Sequence, residues 1–102
     1  MKICVEIYAN RMILTSDEHS VSVNASKPFT TTRLLVGHFE PAVNCLKACL
    51  QQAGFTGFFK RAPKLHIIAR EKTEGGLSEV EERCIREVGL AAGARDVNVS
   101  TS

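Results

Sequence analysis

The stretch that most limits what this chain can fold into runs from Pro63 to Val97. Pro63-Lys64-Leu65-His66-Ile67-Ile68 is dense enough in apolar residues to be a central strand. Gly75-Gly76 marks a turn. Ser78 followed three residues later by Glu81 is a capping box: the hydroxyl accepts from the Glu81 amide and the carboxylate reaches back. Val80, Cys84, Val88, Ala91 and Ala92 then recur at helical spacing and predict the buried stripe of a helix. Gly93 supplies the stop, and Val97 and Val99 begin a last strand. Strand, capped helix, glycine stop and strand make a crossover unit, which is right-handed in nearly all folds.

The residues before it supply the rest of an α/β domain. Ile3, Val5 and Ile7 alternate with Lys2, Cys4 and Glu6, as in a strand with two unlike faces. Ala9-Asn10-Arg11 reads as a turn, Met12-Ile13-Leu14 as a second strand and Ser16-Asp17-Glu18-His19 as another turn. Val21 and Val23 alternate with Ser20, Ser22 and Asn24 in a third strand. Ser26 to Thr32 is a polar loop, and Arg33 to Val36 is a short strand or an extended approach to a helix. Pro41 suits a first helical turn, where its missing N–H costs nothing. Ala42, Val43, Leu46, Cys49, Leu50 and Ala53 form one apolar stripe ending at Gly54. The expected fold is therefore a three-strand antiparallel meander followed by helix, strand, helix, strand. That is a five-stranded mixed sheet with two helices, in a single domain over residues 1–102.

Composition narrows the function classes. A chain of 102 residues buries roughly 65% of its unfolded surface, enough for one core. A net charge of +2 gives no electrostatic footprint for nucleic acid. No apolar run approaches the roughly 20 residues that span a bilayer. Met1-Lys2-Ile3-Cys4 runs straight into a strand pattern, so no signal peptide is expected. Cys4, Cys45, Cys49 and Cys84 sit in apolar stretches, as packing thiols would. A reduced, cytoplasmic protein is expected.

Several segments resemble the MreB/Mbl family of bacterial actin-like rod-shape-determining proteins. Gly37-His38-Phe39-Glu40-Pro41-Ala42-Val43-Asn44-Cys45-Leu46-Lys47 is similar to the family segment entering its first helix. Phe58-Phe59-Lys60 before the Pro63 strand is similar to the family's apolar loop, and Leu77 to Val97 is the closest match. The resemblance is strong over residues 37–99 and faint over 1–36, and covers only the first subdomain of an actin-like protein. It implies an actin/ribonuclease-H-like core. It also implies a phosphate loop of Asp-Leu-Gly-Thr type after the first strand. Here that turn reads Glu6-Ile7-Tyr8-Ala9-Asn10, with Tyr8 where a glycine would let the backbone approach phosphate. The family's hydrolytic glutamate would fall at Thr101-Ser102, and neither is an acid. No catalytic residue, cofactor or metal ligand set is therefore expected, and the chain is not expected to be an enzyme.

The sharpest local cluster is Phe55, Phe58 and Phe59 with Lys60, Arg61 and Lys64. Aromatic rings entering a lipid interface beside cations that meet headgroups would suit an anionic membrane. The resemblance points the same way, because that loop contacts membrane in the family. The other reading packs Phe55 over the end of the first helix and uses Phe58 or Phe59 in the core. Cys45 and Cys49, spaced i and i+4, share a helix face and read as core residues. Glu6, Glu40 and Asp96 would have to converge to make a ribonuclease-H-like metal cluster.

These features predict a non-catalytic MreB-like domain acting by protein–protein and membrane-surface binding, linked to cell shape or the cytoskeleton. Its expected partners are an actin-like filament protein, another cell-shape protein, the inner face of an anionic membrane, or a second copy in a homodimer. The alternatives are a small metal-dependent hydrolase on a ribonuclease-H-like core and a folded remnant.

Overall fold

A computed structural model of the chain describes residues 3–17, 19–55 and 62–101. Its elements follow the order β1 (Ile3–Tyr8), β2 (Arg11–Thr15), β3 (Ser20–Asn24), α1 (Phe39–Gln52), β4 (Lys64–Ala69), α2 (Glu79–Ala91) and β5 (Asp96–Thr101). The strands form one mixed sheet in the order β3-β2-β1-β4-β5. β1, β2 and β3 pair antiparallel, whereas β1, β4 and β5 pair parallel. The expected α/β class, meander and two crossovers are all present. Arg33 to Val36 forms no strand, although Leu35 and Val36 are buried.

Strand order dictates where the helices go. From β3 the chain moves across the sheet to β4, then onward in the same direction to β5. Two right-handed crossovers that step in one direction place their helices on the same face. Accordingly α1 packs over β2 and β3, α2 packs over β4 and β5, and the helices touch each other. One core cluster fills the space between. Ile3, Val5 and Ile7 enter it from β1, Leu65 and Ile67 from β4, and Leu46 and Leu50 from α1. The alternate residues of the strands, including Cys4, Glu6, Ile13, His66 and Ile68, face the side without helices.

Both helices end in the same motif, with a glycine at positive φ. Gly54 has φ +83°, its amide donates to the Gln51 carbonyl, and the Phe55 amide donates to the Leu50 carbonyl at 2.8 Å. Gly93 has φ +115°, and the Ala94 amide donates to the Gly89 carbonyl at 3.0 Å. These Schellman closures satisfy carbonyls that the helix leaves open. They also turn the next residue inward, so Phe55 and Ala94 are both buried.

The capping box at α2 is formed as expected. Glu81 N donates to Ser78 Oγ and Ser78 N donates to Glu81 Oε1, each at 3.1 Å. Ser78→Ala is expected to cost about 1 kcal/mol, readable as a shift in urea midpoint at unchanged slope.

The buried stripe of α2 keeps Val88, with Cys84 and Ala92 packed against the core, but departs from the expected one at its other positions. Val80 is 78% exposed and Ala91 is exposed, whereas Ile85, Val88 and Gly89 are buried. Gly89 is the reason. A Cβ placed there would lie 2.6 Å from Val97 Cγ2 and 3.1 Å from Ile67 Cδ1. The missing side chain lets α2 lie close on β4 and β5, and the helix rotates to aim that gap at the sheet. Val80, in the first turn, is left facing solvent.

Candidate functional site at the two strand edges of the sheet

In open α/β sheets, ligands gather beyond the carboxyl ends of the strands. Here that edge carries the β1–β2 turn and Arg70, Glu71 and Lys72 after β4. Asn10 takes positive φ (53°), which an Asx side chain tolerates better than most. Its Oδ1 accepts from the amides of Phe29 and Thr30 at 2.9 and 2.8 Å. Its own amide donates to Thr30 Oγ1, and that hydroxyl donates to the Leu35 carbonyl at 2.7 Å. The Ala9 amide donates to Glu71 Oε2. Both turn amides that could meet a phosphate are thus engaged within the chain, one by a carboxylate in the position of an anion.

Glu6 is also engaged. Its Oε2 accepts from Arg70 Nε at 2.6 Å and from the Tyr8 hydroxyl at 3.3 Å. Arg11 lies over the Tyr8 ring, 4.6 Å from its centroid. Tyr8 therefore contributes a hydrogen bond and a cation–π contact where the resemblance implied a small residue. Arg70 and Glu6 are 35% and 23% exposed, so their pair supplies orientation more than stability.

The three carboxylates weighed as a metal cluster are not brought together. Asp96 is in register with Lys64, four residues before Ile68, which pairs with Glu6, and it lies two strands away. At about 3.3 Å per residue and about 4.8 Å per strand, Glu6 and Asp96 are roughly 16 Å apart. Glu40 is on α1, across the sheet from the face that Glu6 occupies. Among the described residues, no group of His, Cys, Asp and Glu side chains is arranged to hold a metal ion.

Cys45 and Cys49 sit under the sheet as packing residues. Cys49 Sγ donates to the Met12 carbonyl and Cys45 Sγ to the Val23 carbonyl, at 3.7 and 3.5 Å. The neighbouring Cys45 thiol, with burial, pushes the Cys49 thiol well above its ordinary range. The Cys49 thiol beside it draws the Cys45 thiol down, against the opposing effect of burial. On the bare face, His66 Nε2 and Ser100 Oγ are 2.8 Å apart and tie β4 to β5. Sequence reasoning missed this contact, because the partners are 34 residues apart.

The aromatic–basic cluster divides. Phe55 is 8% exposed and belongs to the core, where it completes the α1 cap. That ring is not available to a membrane. Lys64 is exposed at the amino-terminal edge, where β4 begins. Phe58, Phe59, Lys60 and Arg61 lie outside the described residues. The structure adds one cation that the sequence did not place there. Arg95 N donates to the Pro63 carbonyl at 2.8 Å, which sets the exposed Arg95 beside the start of β4. Only the pairing of β5 with β4 reveals this neighbour. Among the described residues, no helix is long and apolar enough to cross a membrane.

No protein-family model matches the chain, and no curated protein matches it. The MreB/Mbl resemblance therefore rests on the residues themselves.

Proposed function

We propose that the chain is a non-catalytic, actin-like small domain that acts by binding, in the cytoplasm at the inner face of an anionic membrane. Its protein partner would be an actin-like filament protein or another cell-shape protein. The element order and the mixed five-stranded sheet are compatible with an actin/ribonuclease-H-like core. One observation carries the reading: the turn after β1 spends its amides on Glu71 and Thr30. A nucleotide phosphate would have to displace a carboxylate there. The amino-terminal edge, by contrast, presents Lys64 and Arg95 to solvent on either side of the route into β4.

Cosedimentation with vesicles tests this. The chain is expected to pellet with phosphatidylserine vesicles and to stay in solution with phosphatidylcholine vesicles. Each near-surface cation contributes about 1 kcal/mol, so Lys64→Glu with Arg95→Glu should weaken binding by about 30-fold or more. Phe58→Ser with Phe59→Ser should abolish binding with little change in Tm. Equal binding to both vesicle types would overturn the membrane surface. Release of phosphate from MgATP by the purified chain would overturn the non-catalytic assignment.

A further inference from the structure

The sheet has two edges, and they differ. On β5 the Val97 amide donates to Asp96 Oδ1 at 3.0 Å, and the Val97 carbonyl accepts from Arg86 Nη1 at 2.5 Å. A strand approaching there would have to displace two charged side chains, a common way of guarding an edge. Among the described residues, no side chain guards β3 in this way. In its ladder with β2, hydrogen-bonded and non-bonded pairs alternate. The Ser16–His19 and Ala25–Asn10 bonds place Val21 and Val23 in the bonded pairs. The amides and carbonyls of Ser20, Ser22 and Asn24 therefore point away from the sheet. The strand carries no Pro and no Lys. Val21 and Val23 are only half-buried at the rim of the core.

We propose that β3 pairs antiparallel with β3 of a second copy, centred on Ser22, and joins the two sheets. This strand is its own complement in that register. Ser22 meets Ser22 and Ser20 meets Asn24, each pair exchanging two backbone hydrogen bonds through the outward-facing groups. Val21 meets Val23 on the helix side, so the rim of one core continues into the other. Charge agrees as well. Asp17 lies three residues before β3 and Lys27 three residues after it. Neither forms an ion pair among the described residues. Antiparallel pairing brings Asp17 of each copy to the end where the other carries Lys27. A two-fold axis through Ser22 closes the assembly at a dimer.

Sedimentation equilibrium of the full chain from micromolar to millimolar concentration tests this. A monomer–dimer equilibrium is expected. Amide exchange at Ser20, Ser22 and Asn24 should slow as concentration rises, while Val21 and Val23 stay protected throughout. Ser22→Pro removes a donor that the ladder with β2 does not use. Losing that bond twice per dimer should raise the dissociation constant by about 30-fold or more. Ser22→Lys keeps the backbone donor but sets like charges opposite each other, and should also give monomer. It keeps the test decisive if the proline variant does not fold. A monomer at every concentration overturns the proposal. So does a dimer that survives Ser22→Lys, since it would use another surface.

Discussion

Phe29→Ala is expected to destabilise the protein by about 3–5 kcal/mol, a large share of the about 5–15 kcal/mol available to a domain of this kind. Phe29 heads the largest fully buried side chains, yet it belongs to no helix or strand. Its amide is held by Asn10 Oδ1, and its carbonyl accepts from the amides of Gly37 and His38 at 2.8 and 3.0 Å. With the backbone fixed at both groups, the segment has little freedom to collapse into the space a phenyl ring leaves. The cavity therefore persists, and its cost adds to the lost transfer energy. Phe29→Leu refills most of the volume and should cost less than about 1.5 kcal/mol. Urea unfolding of both variants is the measurement. A loss below about 1 kcal/mol for the alanine variant would show that the segment is not part of the cooperative core.

Asn10→Ala is expected to cost about 2–4 kcal/mol by a different route. It removes the acceptor shared by Phe29 N and Thr30 N. Each donor left without a partner costs about 1–3 kcal/mol if water cannot reach it, and these are part-buried. It also places a Cβ-bearing residue without a compensating side chain at φ 53°. A series separates the two causes. Asn10→Gly relieves the backbone but loses the acceptor, and should recover only the smaller part. Asn10→Asp keeps an acceptor and should be the mildest. If glycine restores full stability, the side-chain bonds contribute nothing and the geometry of this turn is conformational alone. Asn10 holds the Phe29 backbone amide and so fixes the segment that carries the ring, and the two alanine substitutions should therefore combine to less than the sum.

Local features of the chain were legible where neighbours in sequence decide the outcome. The capping box at Ser78 and Glu81 closes within one turn, and the glycine stops at Gly54 and Gly93 need only a backbone free to take positive φ. The alternation Ile3, Val5, Ile7 marks one buried face of β1 because side chains in a strand repeat every two residues. From such signals the α/β class, the meander and both crossovers could be read.

Other features depend on contacts distant in sequence. The rotation of α2 follows from the gap at Gly89 meeting Val97 and Ile67, and no pattern within the helix contains those partners. The engagement of the β1–β2 turn joins Ala9 to Glu71 across 62 residues. Arg95 comes to lie beside Pro63, at the start of β4, only because β5 adds beside β4. The sequence by itself determined which segments become strands and helices and where each helix starts and stops, since those choices are settled within a few residues by patterning, capping and φ. Tertiary structure alone decided that Gly89 meets the sheet while Val80 faces solvent, which turn amides are spent, that Arg95 lies beside the start of β4 and which sheet edge is left open. Each of these is set by a partner brought close by strand order, and a linear pattern holds no record of it.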